Sequence, residues 1–76
     1  MIKPTAKVKQ LYALVEELSS TLSDLVDTRQ ETYDDRSENW QESDKGYEYE
    51  EDTANLQTVV DTLQTLDSEL TDVFEF

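Results

Sequence analysis

Carboxylates are the side chains of this sequence that could do chemistry. The chain holds 19 aspartates and glutamates against six lysines and arginines, which gives a net charge of -13 in 76 residues. Residues 27–52 alone carry 11 acids and three bases. Clustered carboxylates speed association with basic surfaces and repel nucleic acids and anionic membranes. The charge therefore predicts a binding protein with a basic protein partner and no direct contact with nucleic acid or membrane.

Other uses of carboxylates fit the sequence poorly. The chain has no cysteine and no histidine, which removes thiolate and imidazole metal ligands and the usual pairs of nucleophile and base. If Gly46 is placed at the invariant glycine of a calcium-binding EF-hand loop, Gln41 and Lys45 fall on ligand positions, so that motif fails. Acid–base catalysis needs a concave pocket. We expect no catalytic residue, no metal and no cofactor.

Two apolar seams dominate the pattern of the chain. Their members recur in alternating steps of three and four residues, the spacing of a helix that faces another helix. The first seam is Val8, Leu11, Val15, Leu18, Leu22 and Leu25, and the second is Leu56, Val59, Leu63, Leu66, Leu70 and Val73. We predict an all-α, coiled-coil-like antiparallel hairpin of two helices.

The hairpin is expected to fill one domain, residues 1–76. The predicted first helix runs from about 4 to 42, with Pro4 in its first turn and Thr5 as another possible cap. A polar turn follows at about 43–46, and the second helix spans about 47–74. Folding about residue 44 would bring Arg29 opposite Val59. Because Asp34 and Asp35 are weak helix formers, a break there would give three helices instead.

A further apolar column runs beside the two seams, and a two-helix hairpin leaves it uncovered. Two hairpins that associate as a four-helix homodimer would bury it. The predicted dimer interface is Tyr12, Val26, Tyr33, Val60 and Phe74. The alternative is that these side chains fold over their own hairpin.

The acidic middle of the chain supplies the predicted partner-binding surface. Its carboxylates would imitate the phosphate rows of a duplex, and two aromatic residues would act as anchors. The predicted residues are Glu31, Asp34, Asp35, Glu38, Trp40, Glu42, Tyr47, Glu48, Glu50 and Glu51. The alternative is a solvated acidic face that keeps the protein in solution.

Residues 36–47 carry the pattern Arg-Ser-Glu, Trp-Gln, Ser and Lys-Gly, which resembles small uncharacterised open reading frames of phages and mobile elements. More broadly, a short, acidic, cysteine-free helical chain is similar to phage-encoded DNA mimics such as anti-restriction and anti-CRISPR proteins. That class shares surface charge and no motif, so the resemblance assigns no residue. It implies a nuclease complex or another DNA-binding protein as partner.

Two functions are consistent with these observations. The first is a non-enzymatic inhibitor that occupies a basic nucleic-acid-binding site on another protein. The second is a structural or adaptor module that recruits another helical protein through the apolar column. No apolar run approaches the roughly 20 residues that span a bilayer, and the first residues do not form a signal peptide. We therefore expect a cytoplasmic protein, in the host cytoplasm if a phage encodes it.

Overall fold

Three α-helices make up the computed structural model, which describes all 76 residues. Helix α1 spans Ala6–Asp34, α2 spans Glu38–Gln41, and α3 spans Asp44–Val73. Helix α1 packs along α3, while the single turn α2 contacts the beginning of α3. The molecule is a rod of 54 × 15 × 13 Å. The predicted all-α class and the pairing of two long helices in a hairpin are confirmed.

Each helix begins at a hydroxyl that caps it. The Val8 amide donates to Thr5 Oγ1 over 3.2 Å, and Ser37 and Ser43 accept in the same way at the starts of α2 and α3. A side-chain oxygen at this position satisfies one of the amides that the first helical turn leaves without a partner. Thr5, one of the two residues proposed for the first turn, is therefore the cap of α1.

The connection between the long helices differs from the predicted turn. Helix α1 ends at Asp34, so the continuous helix of about 4–42 is replaced by the three-helix alternative with its break at Asp34 and Asp35. The predicted turn at 43–46 belongs to α3 apart from its cap. Ser37 and Ser43 explain the difference, because each hydroxyl stabilises a new helix start where the prediction had one continuous helix and a loop.

Gly46 allows α2 to lie against the first turn of α3. A β-carbon at this position would lie 2.3 Å from the Trp40 carbonyl oxygen and 2.5 Å from that of Gln41. Both atoms belong to backbone, so they cannot turn aside as a flexible side chain would. Glycine is required here for close approach, and the helical backbone at Gly46 has an ordinary negative φ.

The helices face each other along rows that differ from the predicted seams. On α1 the half-buried row is Val8, Tyr12, Val15, Ser19, Leu22, Val26, Arg29 and Tyr33. On α3 the row of buried and half-buried residues is Gly46, Tyr49, Thr53, Leu56, Val60, Leu63, Asp67, Leu70 and Phe74. Val60 is the one apolar side chain that is fully buried, with 1% of its surface exposed. Both rows keep the three-four spacing of the prediction, but they contain only half of the residues of the predicted seams.

The apolar column assigned to a dimer interface lies inside the hairpin. Tyr12, Val26 and Tyr33 are in the α1 row, and Val60 and Phe74 are in the α3 row. The structure therefore adopts the alternative in which these residues fold over their own hairpin. Each helix is rotated toward the column because this orientation pairs the aromatic side chains at both ends of the rod.

The register is also shifted from the predicted one. Arg29 Nε donates to Thr53 Oγ1 over 2.9 Å, and its Nη2 donates to the Tyr49 carbonyl over 3.2 Å. Arg29 was expected opposite Val59, about two turns further along α3. The reason is the connection, which occupies residues 35–43 and reverses the chain near residue 39 instead of residue 44.

Candidate partner-binding surface

The acidic tip of the rod is built from the end of α1, from α2 and from the start of α3. The eight predicted carboxylates all lie there and are all exposed. They are Glu31, Asp34, Asp35, Glu38, Glu42, Glu48, Glu50 and Glu51. The fold thus brings together residues 20 positions apart in the sequence. The neighbouring Tyr47 is exposed over 59% of its surface.

The C-terminal turn of α1 carries acidic residues, where helices usually favour basic ones. The helix dipole makes a C-terminus partly negative, so bases are favoured there and acids are unfavourable. Glu31 and Asp34 nevertheless lie in the last turn of α1, Asp35 follows as its cap, and the turn holds no basic residue. Departures from local stability rules are expected where a surface serves binding.

Trp40 lies at the centre of an aromatic cluster inside the tip. Its ring meets the Tyr33 ring edge-on at a centroid distance of 6.1 Å and the Tyr49 ring at 5.6 Å. The side chain is half-buried. The geometry gives Trp40 a role in joining the three helices, whereas Tyr47 is the aromatic residue free to meet a partner.

Two arginines line the same cluster. The guanidinium carbon of Arg36 lies 4.2 Å from the centre of the Trp40 ring, and that of Arg29 lies 4.0 Å from the Tyr49 ring. A cation over an aromatic face is attracted by the negative charge of the ring face. Both arginines are therefore held at the aromatic cluster, and Lys45 is the remaining base in residues 27–52.

The hydroxyl of Tyr33 borders the acidic tip. Burial raises the pKa of the Tyr33 phenol, and a hydrogen bond to the Glu50 carboxylate raises it further. Because both causes disfavour the phenolate, Tyr33 keeps its proton in the folded protein at neutral pH and above.

The opposite end of the rod is closed by the chain termini. The Ile2 amide donates to the Val73 carbonyl and the Glu75 amide donates to the Ile2 carbonyl, each over 2.9 Å. Phe76 stacks on Tyr12 at a centroid distance of 4.0 Å. Tyr12 donates its hydroxyl proton to Asp67. This bond raises the pKa of Tyr12, and the Glu16 carboxylate, as a second acceptor, raises it further.

An exposed stripe of leucine and valine runs along one side of the rod. Its seven side chains keep between 37% and 53% of their surface in solvent: Leu11, Leu14, Leu18, Leu25, Val59, Leu66 and Val73. All seven directly precede a residue of the two inward rows, as Leu25 precedes Val26 and Val59 precedes Val60. In an antiparallel pair of helices, the row that precedes the core residues of one helix lies on the same side of the pair as the corresponding row of the other helix. The predicted seams contained six of the seven residues but placed them in the core.

Enclosed sites are few on so thin a molecule. One shallow, open groove lies along α3, with Thr58, Asp61, Thr62, Thr65, Leu66 and Glu69 around it. No three carboxylates come together in an arrangement that would hold a metal ion. None of the helices combines the length and apolar character of a membrane span.

Comparison with protein-family models, with curated proteins and with solved structures finds no match to this chain.

Proposed function

We propose that this protein is a non-enzymatic inhibitor that places its acidic tip in a basic nucleic-acid-binding site of another protein. The observation that carries the proposal is the exposure of all eight carboxylates at one end of a narrow rod. Inhibition follows from occupation, because a nucleic acid and the tip would compete for the same lysines and arginines. The proposed setting is the cytoplasm, with a homodimer as the working form.

The charge density of the tip supports competition with a nucleic acid. Residues 27–52 carry 11 acids and three bases, a net charge of -8. At 1.5 Å per helical residue this segment occupies roughly 20 Å of the rod, or about one net charge per 2.5 Å. Duplex DNA carries about one charge per 1.7 Å. The tip therefore approaches the linear charge density of the ligand that it would displace.

The width of the rod supports the same interpretation. Its cross-section of 15 × 13 Å is that of two packed helices, which concentrates the carboxylates of the tip in a small area. Tyr47 stands beside Glu48 at the surface and supplies the kind of aromatic anchor that interfaces favour. Trp40 supports the tip from inside.

Neutralising carboxylates at the two ends of the rod tests the proposal. The tip variant carries Asp34→Asn, Asp35→Asn and Glu38→Gln. The control carries Glu69→Gln, Asp72→Asn and Glu75→Gln, which remove the same number of charges at the open end. Tagged proteins are incubated with lysate of the source cell at low and high salt, with and without duplex DNA, and bound proteins are identified by mass spectrometry.

We expect the unaltered protein and the control to retain a basic nucleic-acid-binding protein that both salt and duplex DNA release. The tip variant should lose it, because exposed charges are screened and steer association at long range. Equal binding by the tip variant and the control, or binding that high salt leaves intact, would contradict the proposal.

A second function is favoured by the exposed stripe. An adaptor module would recruit another helical protein through apolar contacts, and a contiguous apolar surface on a small protein marks such sites. Val26 and Val60 cannot be used to test it because they hold the hairpin together. Replacing Leu18 and Leu66 by glutamine is the suitable change. If the unaltered protein keeps a partner at high salt and this variant does not bind that partner, the adaptor is favoured over the acidic inhibitor.

A further inference from the structure

The exposed stripe is distinguished from the rest of the surface by its lack of charge. That side of the rod is formed by the residues that directly precede the inward-facing residues of each helix. There are 13 such positions in residues 11–32 and 55–73. Glu69 is the one charged residue among them, although 33% of the whole chain is charged. The opposite side of the rod, at the positions that directly follow core residues, carries Glu16, Asp27 and Asp61. A solvated surface would not exclude charge from one side alone.

The core of a single hairpin is too thin to use the apolar residues that the sequence provides. One apolar side chain is fully buried, while seven leucines and valines on the stripe remain partly in solvent. Each helix thus has apolar residues in three adjacent columns, and the partner helix covers two of them. A stripe of this width is typical of helices in a bundle.

The area of this side suits a second copy of the same chain. A face of 54 × 15 Å covers about 800 Å², which is the area that each partner contributes to a standard stable interface. The leucines and valines lie near its middle on both helices. Leu18 and Leu66 occupy the centre of the stripe, with Leu11 and Val73 toward one end and Leu25 and Val59 toward the other.

Charge at the two ends of the stripe favours an antiparallel arrangement of the two copies. Lys7 continues the row of Leu14 toward the open end, whereas Asp52 continues the row of Val59 toward the tip. A two-fold axis near Leu18 would bring Lys7 of each copy beside Asp52 of the other. It would also place the two acidic tips at opposite ends, while a parallel pair would set their like charges side by side.

We infer that two copies of this chain associate through the exposed stripe as an antiparallel four-helix bundle with an acidic tip at each end. The inference deepens the homodimer of the proposed function by assigning its surface and orientation, and it requires no particular partner for the tips. Leu18 and Leu66 form the centre of the interface, and the contacts between Lys7 and Asp52 fix the direction.

Sedimentation equilibrium of three proteins tests the surface. The unaltered chain should have twice the monomer mass of 8.8 kDa. Leu18→Gln combined with Leu66→Gln should raise the dimer dissociation constant at least about tenfold. Circular dichroism should show that its helix content is unchanged, because both leucines are already exposed. The control, Ala13→Gln with Ala54→Gln, alters exposed positions away from the stripe and should stay dimeric.

Spin labels test the orientation, since the chain has no cysteine of its own. A label at Lys45→Cys near the tip should give a distance of roughly 50 Å between copies in the antiparallel dimer. A distance below about 30 Å would show a parallel pair and overturn the orientation. A monomeric unaltered chain, or a stripe variant that stays dimeric, would overturn the interface. A monomer whose stripe instead captures a different helical protein would also overturn it, whereas failure of the tip to bind a basic protein would leave the dimer intact.

Discussion

The two ends of the rod are both closed by aromatic rings, but they are held in different ways. At the tip, Trp40 sits between Tyr33 and Tyr49 while Ser43 and Gly46 bring the backbones of α2 and α3 together. Gln41 Nε2 adds a bond to the Tyr33 carbonyl over 2.8 Å. These contacts join three helices and leave no spare volume at the glycine.

The open end depends on the last few residues of the chain. Ile2 forms two backbone hydrogen bonds, one with Val73 at the end of α3 and one with Glu75 beyond it, and Phe76 stacks on Tyr12. Chain ends lose order easily when few contacts hold them. Aromatic side chains thus hold the tip firmly and the open end weakly, and the difference comes from the backbone contacts that surround them. Substitutions at the tip should therefore cost more stability.

The largest effect is expected from Gly46→Ala. Alanine normally stabilises a helix relative to glycine by roughly 1 kcal/mol, but here its β-carbon would meet two backbone carbonyls. We expect a loss of about 3 kcal/mol in the free energy of unfolding, at the upper end of the usual cost of overpacking, because backbone must move to make room. Urea unfolding followed by circular dichroism measures it.

Lys45→Ala is the matched control, one residue earlier in the same helical turn and exposed. Its effect should stay within about 0.5 kcal/mol. If Gly46→Ala were neutral or stabilising, the close contact between α2 and α3 would not exist as described, and the contrast between the two ends would lose its basis.

Trp40→Ala should have the second largest effect. It removes the ring that joins Tyr33 and Tyr49 and the face on which Arg36 rests. Because the side chain is half-buried, we expect a loss of about 2 to 3 kcal/mol, below the usual value for a fully buried tryptophan. Tyr47→Ala, an exposed aromatic in the same segment, should cost less than about 0.5 kcal/mol. Equal losses in the two variants would show that Trp40 does not hold the tip together.

The smallest effect is expected at the open end and appears at high pH. The carboxylates of Asp67 and Glu16 accept hydrogen bonds from the Tyr12 hydroxyl and raise the pKa of Tyr12 in the folded protein. The stabilisation is complete below the ordinary tyrosine pKa near 10 and is lost as pH rises through the higher pKa of the folded state. Melting temperatures between pH 8 and 12 should therefore fall less steeply for Tyr12→Phe than for the unaltered chain.

Asp67→Asn sharpens the result, since it keeps an acceptor for Tyr12 while removing the negative charge. Its curve of melting temperature against pH should lie between the other two. Superimposable curves for all three proteins would mean that the contact between Tyr12 and Asp67 contributes nothing to the closure of the open end.

The helical class and the hairpin were predictable because apolar spacing of three and four residues has one common structural solution. It was harder to predict which row of residues on each helix faces the other helix. Leu18 and Val26 are equally apolar, and the sequence pattern alone favoured the row with more leucines. The structure selects the row that contains Tyr12, Tyr33 and Phe74, because contacts between aromatic rings at both ends reward that rotation of the helices.

The register was missed for a local reason. Ser37 and Ser43 each start a helix, and the extra turn between them moves the point of reversal by about five residues from the predicted residue 44. The exposure of the predicted carboxylates agrees with expectation, since charged side chains on a thin rod have little interior to enter. Trp40 was predicted as an anchor for a partner, but it lies half-buried between rings that come from two different helices.

From the arrangement of contacts in the tip we expect a definite order of folding. Tyr33, Trp40 and Tyr49 lie close together in sequence, so their association closes a short loop, whereas Ile2 and Phe74 are separated by almost the whole chain. The entropy lost on loop closure grows with loop length, and short loops close first. Once the tip has formed, each further pair of facing residues closes a small additional loop. We therefore expect folding to begin at the acidic tip and to continue along the two helices, with pairing of the chain ends as the last step.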